Sequence, residues 1–520
     1  MSEYESGPFG ESDGSRADLV ELLEGFVRFD KAGVWGGLAT ERRDRSARII
    51  VGRKGSGKTL YLRRLRAAAN DEGSLYVDEI GETGLSTESV IKFCDEIPSD
   101  FLSEKWEHLW RKAIMLSVMS HMLRAPKLTA MCPEGFHEQI RRDFKRIVPD
   151  YVTPVSVYNV VTHIIEMYNT RNRIDRYFND PLWASLEWII KNNIQSFPPL
   201  CFYMDAVDQE FEKAPMYWLK CQVGLFDATM SLLRDSIFGG RLLIFVAIRN
   251  LVLTSVMRST HATRFLSERH IRTLTWNKKS ILYLLQRKIE MLPDDFFLKD
   301  SANGKNIQSW LGRTNFYNIA RKTTEPMEQY LLRHTRFLPR DVIVLGNALC
   351  EAVRKYKNDP NGEQLDTLIR EAVSDRSRYF GNEQLRICCK QIVSDQMPPG
   401  AGRDGYSGAF TGVEAYARDI LDELKETIQI IGKDRFSLSE MKSARREAKK
   451  KFGEETDAFS VLWQNGLLGY VSRREDSETH VFYSDYNDEL RLPEIDGEYV
   501  LHSCIIDSVG VKSVGDVPVY

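Results

Sequence analysis

The chain has 520 residues, 42% of them hydrophobic and 28% charged, and a formal net charge of −3. That length exceeds one ordinary domain and points to two to four, and the near-neutral charge excludes binding a polyanion through bulk electrostatics alone. No apolar run reaches a membrane span, the acidic start Met1-Ser2-Glu3-Tyr4 is no signal peptide, and the eight cysteines and nine histidines show no ligand spacing for a metal, so a soluble cytoplasmic chain with reduced thiols is expected.

Residues 1–17 are rich in Gly, Ser and acid and read as a loose lead-in. Asp18 to Phe29 is amphipathic and predicts a helix beside the core, so that 1–40 forms a lead-in and helix. Ala47-Arg48-Ile49-Ile50-Val51 then reads as a buried β-branched strand. It runs into Gly52-Arg53-Lys54-Gly55-Ser56-Gly57-Lys58-Thr59, and Leu60 to Ala69 follows with helical spacing. Strand, glycine-rich turn and helix is the setting that the G-x-x-x-x-G-K-[ST] pattern requires. The glycines let backbone N–H groups close around a polyphosphate, and the helix directs its positive end at the same charge. Gly52 to Leu60 are therefore the candidate nucleotide-binding residues, with Lys58 on the β- and γ-phosphates and the Thr59 hydroxyl on Mg²⁺. Arg53 and Lys54 either touch phosphate or are solvated loop charges. The segment 29–38 either packs on the core or lines an adenine pocket.

Ser74-Leu75-Tyr76-Val77 is a short strand candidate, and Glu104 to Leu123 and 125–195 read as helical, the latter as an insertion. Its basic stretch, Arg141 to Arg146, is a solvated face or a source of an arginine finger for a neighbouring subunit. Pro198 to Met204 reads as a strand buried on both faces. Asp205 sits at its C-terminal end, the end where ligands gather in open α/β sheets, which makes it a candidate Mg²⁺ ligand on the Thr59 side. Asp208 could polarise the attacking water or add to the metal shell. Arg241 to Ile248 is a second such strand, expected beside the first, and Arg249 or Asn250 at its end could meet the γ-phosphate or the water.

Asn277-Lys278-Lys279-Ser280 lacks the final carboxylate of the guanine-reading N-K-x-D and argues against GTP. Residues 276–355 have helical periodicity and suggest an α-helical lid; Pro339 opens a helix there and sets Arg340 at its start, able to swing towards the phosphates. Residues 356–412 form a helical connector ending in the linker-like Met397 to Ser407. From 413 to the end, three helices (413–431, 437–451, 455–464) precede two strands (470–474 and 480–483), the order of a winged helix. Lys442, Arg445, Arg446, Lys449 and Lys450, with Arg473 and Arg474 of the wing, could hold duplex DNA by its backbone. The acidic start of the third helix disfavours base reading, and protein–protein contact fits the same module.

Taken together these motifs resemble the bacterial P-loop ATPases of the STAND and origin-recognition-like AAA+ group, over roughly 15–355 for an ATPase core spanning 41–275 plus lid, and 433–506 for the winged helix. Asp205-Ala206-Val207-Asp208 resembles the magnesium-binding strand end of that group, with Gln209 where an acid is usual. Arg249-Asn250 resembles its sensor, and Leu338-Pro339-Arg340-Asp341 its lid motif with a sensor arginine. The resemblance implies an α/β P-loop NTPase core, ATP and Mg²⁺ as ligands, hydrolysis with Lys58, Asp205, Asp208, Arg249 and Arg340 in the catalytic set, and a homo-oligomer or a complex with an effector protein. It also implies the company of bacterial anti-phage defence systems. The alternative is a DNA-binding loader or scaffold.

Overall fold

The computed structural model describes residues 7–17, 48–71, 75–78, 84–205, 215–257, 270–299, 304–396, 408–453, 457–474, 477–482 and 491–514. A five-stranded parallel sheet flanked by helices forms the first unit, compatible with the expected α/β core, in the order β2-β3-β4-β1-β5. The strands are β1 (Ile49–Gly52), β2 (Tyr76–Val77), β3 (Leu200–Met204), β4 (Leu242–Arg249) and β5 (Ile271–Thr273). β4 pairs with β3 on one side and β1 on the other. The central strands are continuous apolar runs because both faces are covered.

Side chains alternate between those faces. Ile50, Cys201, Tyr203, Phe245 and Ala247 pack against Tyr61, Leu62, Leu65 and Ala69 of α1 (Lys58–Asp71). Ile49, Val51, Phe202, Met204, Ile244, Val246 and Ile248 pack under a helical bundle built on α2 (Leu102–Arg124) and α3 (Pro215–Arg234). α2 and α3 approach closely at Gly224, where a Cβ would lie 2.4 Å from the Trp106 Cβ and 2.7 Å from the Glu107 amide nitrogen. Trp106 and Trp110 are fully buried at that crossing, and the Trp110 indole donates to the Cys221 carbonyl at 3.0 Å.

The second unit is centred on the buried Trp310. Its first helix, α4 (Lys278–Glu290), explains the Asn-Lys-Lys-Ser stretch: Asn277 and Ser280 form a reciprocal capping box. α5 (Pro339–Asn358) starts at Pro339 as expected. The expectation of helices alone needs correction. β6 (Asn315–Asn318) and β7 (Thr323–Pro326) form an antiparallel hairpin in which Phe316 and Asn318 turn inward. Asn318 donates to Glu325 at 3.0 Å, and Glu325 pairs with the buried Arg333.

The lead-in also differs from its loose reading. Phe9 is 1% exposed and stacks on Trp310 at 5.2 Å, and its amide donates to the Asn347 side chain. Further along, Arg63 of α1 donates to the Gly14 and Ala17 carbonyls, both at 2.7 Å. Residues 7–17 thus form a strap between the second unit and α1. Their composition is that of a loop, but one aromatic side chain anchors it. The helix expected at 18–29 and the segment 29–38 lie outside the described residues.

α6 (Leu365–Gln396) joins two cores. Leu365, Ile369 and Val373 belong to the second unit, whereas Phe380, Leu385, Cys388 and Ile392 belong to the C-terminal one. There α7 (Gly408–Ile431), α8 (Leu438–Phe452) and α9 (Ala458–Gln464) match the three expected helices within a few residues. The expected hairpin is β9 (Leu468–Arg474) with β10 (Ser477–Phe482). β11 (Glu498–Leu501) and β8 (Arg435–Ser437) extend it to four strands in the order β10-β9-β11-β8. α10 (Ser503–Val509) packs on α6 at Gly381, whose Cβ would lie 2.2 Å from the Cys504 carbonyl oxygen. The linker stretch 397–407 lies outside the described residues. All eight cysteines are free thiols, and no helix among the described residues is long and apolar enough to cross a membrane.

Candidate functional site

β1 ends at Gly52, the turn occupies 53–57, and α1 begins at Lys58. Each glycine of the turn has its own reason. A Cβ on Gly52 would lie 2.3 Å from the Ser56 hydroxyl oxygen, so space excludes any side chain. Gly55 (φ +87°) and Gly57 (φ +90°) adopt left-handed backbone that other residues rarely tolerate. The turn is closed by the Ser56 amide on the Arg53 carbonyl at 3.2 Å and by the Trp276 indole on the Ser56 carbonyl at 2.9 Å. The Ser56 hydroxyl is buried among protein atoms with no hydrogen-bond partner. Lys58 is buried, and its ammonium donates to the carbonyls of Gly52 (3.2 Å) and Arg53 (3.3 Å), which keeps it at the mouth of the turn. Thr59 and Leu60 are half-buried, and the strap passes over them: a Cβ on Gly14 would lie 3.4 Å from both the Thr59 Cβ and the Leu60 amide nitrogen.

The sheet brings the other candidates to the same edge. Gly52 pairs with Arg249, the last residue of β4. Ile49 and Met204 pair with the same residue of β4, Val246. Asp205 follows Met204 at the carboxyl end of β3, level with Ile50 and two strands across from it, which puts it about 12 Å from Gly52 at ordinary strand spacing and rise. The strand alternation assigns position 205 to the face that carries α1. Asp205 is 7% exposed, and its backbone carbonyl accepts from the Tyr158 hydroxyl. Arg249 is 5% exposed; its amide donates to the side-chain oxygen of Gln222 at 3.3 Å, and the Gln222 amide nitrogen has no partner. Asp208 and Gln209 lie outside the described residues.

Arg340 comes to the turn from the second unit. Its amide donates to the Gly55 carbonyl at 3.3 Å, and its Cβ lies 3.1 Å from the point a Gly55 Cβ would occupy. Its guanidinium holds both oxygens of Glu383 on α6, at 2.6 and 2.8 Å. Lys54 reaches the same carboxylate at 3.2 Å, and Arg336 at 3.4 Å. Burial by itself would raise the Glu383 carboxyl, but the three cations outweigh it and hold the group at about 2. Arg336 is also locked bidentately to Asp341, both contacts at 2.8 Å. From α6 the contact continues into the C-terminal unit: Gln384 donates to Asn465 at 2.9 Å, and Gly466 abuts the Arg53 guanidinium. The sheet, the second unit, α6 and the C-terminal unit therefore all converge on the glycine turn.

The candidate nucleic-acid residues lie elsewhere, and several are engaged within the chain. Arg445 chelates Asp457 and approaches Glu494, Lys442 pairs with Glu494, and Lys450 with Glu447. Arg473 pairs with Glu478 and Glu498. Arg446 is exposed, Lys449 is half-buried, and Arg474 ends β9. Arg141, Arg142 and Arg146 are exposed on the insertion; Arg142 pairs with Asp143 and Arg146 with Asp180. Sequence reasoning missed Glu383, Gln222, Trp276 and the strap. Glu383 is one acid among 74 and carries no local signature.

Thr59 and Asp205 are the oxygen donors that this edge offers to a cation. Among the described residues no cluster of three or more His, Cys, Asp or Glu side chains forms a self-sufficient metal cage. A threonine hydroxyl and one carboxylate instead suit Mg²⁺, which keeps waters and takes the rest of its shell from substrate phosphates. The left-handed glycines of the turn suit a phosphate, whereas the Ser56 hydroxyl packs over Gly52 inside the turn. No family model matches the chain, and neither a curated protein nor a solved structure matches it.

Proposed function

We propose that this protein is an ATP-binding P-loop switch that hydrolyses ATP and thereby controls assembly or the engagement of a partner. One observation carries the reading: Lys58, Arg249 and Arg340, delivered by α1, β4 and α5, stand around a strand-to-helix turn at the carboxyl edge of a parallel sheet, and two glycines of that turn have the left-handed backbone that lets successive N–H groups face one side. In this reading the N–H groups of 53–59 cradle the polyphosphate, and Lys58 leaves the Gly52 and Arg53 carbonyls for the β- and γ-oxygens. Thr59 and Asp205 would hold Mg²⁺, which would supply positive charge to offset that of the phosphates. Arg249 and Arg340 approach the terminal phosphate from β4 and α5, where their positive charge favours the charge that develops as the bond to it breaks. Asp208 orients the water. The α7-α8-α9 helices with the β9–β10 hairpin support a winged helix as the C-terminal module. Its contact with Arg53 and Gln384 supports a role in reporting the nucleotide site, and the carboxylates already paired with its cations favour protein contact over DNA.

The test is Lys58→Ala in the full chain. ATP binding in the presence of Mg²⁺, followed by calorimetry, is expected to fall at least about a hundredfold, the loss of a charge-assisted phosphate contact. Far-UV circular dichroism should remain that of the parent. Undiminished ATP affinity in that variant overturns the reading.

A further inference from the structure

A carboxylate holding two loop-side cations beside a phosphate cradle is an internal rival to phosphate. We propose that Glu383 is a positioning residue of the glycine turn, which gives up Arg340 and Lys54 to the terminal phosphate of a nucleoside triphosphate and keeps them when a diphosphate is bound. The inference rests on the ATP-binding reading of the turn and adds to it the means by which the third phosphate is told from the second.

Three features make the exchange possible. First, Arg340 is fixed at the turn by its backbone, through the Gly55 carbonyl, and only its guanidinium is committed to Glu383. The side chain can change partner while the helix start stays docked. Second, Arg340 holds both Glu383 oxygens through a single nitrogen, Nη2, and a terminal phosphate offers the guanidinium more acceptor oxygens and more negative charge than that contact does. Third, departure of the two cations does not strand a buried charge. Arg336 remains 3.4 Å from Glu383, and it cannot follow the others because Asp341 and Gln384 already hold it. An orphaned buried carboxylate would otherwise be strongly unfavourable.

The consequence falls on α6. Glu383 is its tie to the turn, and the neighbouring Gln384 is its tie to Asn465 of the C-terminal unit. A triphosphate that draws off Arg340 and Lys54 leaves α6 joined to this region through Arg336 alone among the three cations. A diphosphate, one phosphate shorter, leaves the pairs in place.

The experiment measures ATP and ADP affinity with Mg²⁺ in the full chain, by calorimetry, for the parent, Glu383→Gln, Glu383→Asp and Glu383→Gln in an Arg340→Gln background. Without the rival charge, Glu383→Gln should bind ATP about tenfold more tightly. Its ADP affinity should stay within about twofold of the parent. The gain should vanish in the Arg340→Gln background, a coupling that a merely structural glutamate would not show. Equal weakening for both nucleotides, or no change for either, overturns the proposal. Should Glu383→Gln not fold, Glu383→Asp decides: a raised preference for ATP over ADP supports the exchange, and an unaltered one overturns it. A parent that binds ATP in a Lys58-dependent way but shows no Glu383 effect sinks only this inference. A parent that binds neither nucleotide sinks the reading of the turn itself.

Discussion

The helical bundle over the sheet and the seam around the glycine turn are held together by different physics. In the bundle, Trp106, Trp110, Leu109, Trp218 and Phe226 are fully buried, and the sheet contributes one whole apolar face. Such contacts are non-directional and have no substitute partner in water or in a ligand. In the seam, the contacts are Glu383 with three cations, Arg336 with Asp341, Arg321 with Asp434, and amide pairs between Gln384, Gln391, Gln464 and Asn465. These are directional and depend on charge, so protonation or a competing charge can unseat them. The bundle therefore sets what the protein is, and the seam sets what it can respond to.

That division can be broken at several points. The largest effect is expected in the bundle. Trp110→Ala removes a fully buried indole and leaves the Cys221 carbonyl without its donor, and it should cost about 3–5 kcal/mol in urea unfolding. Its ATP affinity, in the folded protein, should stay close to that of the parent. A loss of affinity comparable to Lys58→Ala would show that bundle and turn are one energetic unit.

Acid should act chiefly on the seam. Burial, followed by Arg333, His502 and Arg321, keeps His334 well below its ordinary value. Burial, then Arg336, Arg53 and His480, lowers His502 to about 3, and burial, then Arg435, lowers His480 to about 4. The bundle has one comparable group, His121, lowered by burial to about 4. Each of these is neutral when folded and takes up a proton below about 6.5 when unfolded. The unfolded state then binds more protons, so stability falls as the pH drops below 6.5 towards the folded values. At pH 5 the loss is about 2 kcal/mol for each of His502, His480 and His121. Hydrogen exchange should accordingly show 468–474 and 498–505 opening at pH 5 before 102–124 does. Uniform opening would refute the separation. The smallest effect is expected for Lys451→Ala, which removes a surface pair with Glu426 and should change stability by less than about 0.5 kcal/mol.

Legibility followed the same line. β1, β3 and β4 could be read because a strand buried on both faces leaves an unbroken apolar run, and the glycine turn because its backbone excludes other residues. Asp205 and Arg249 were legible as polar residues ending such runs. β5 was not, since three partly exposed residues, Ile271-Arg272-Thr273, carry no pattern. The β6–β7 hairpin was hidden by short length inside a helical stretch. The seam was the least legible part. Glu383 has meaning only through Lys54, 329 positions earlier, and through Arg336 and Arg340 of another helix region, and nothing local in α6 marks it. Apolar periodicity is a local signal, whereas a charge partner is chosen by the finished fold.

The strap has a temporal consequence. Phe9 and Asn347, whose bond seats it, are 338 positions apart in the chain. A growing polypeptide has all five strands of the sheet once residue 273 has been made, yet the glycine turn still awaits Trp276 and Arg340, and Thr59 is not covered until the second unit has been synthesised and Phe9 has found Trp310. Closing so long a loop is entropically costly and slow. The glycine turn is thus finished only by residues made long after it, and its cover is the last part to settle.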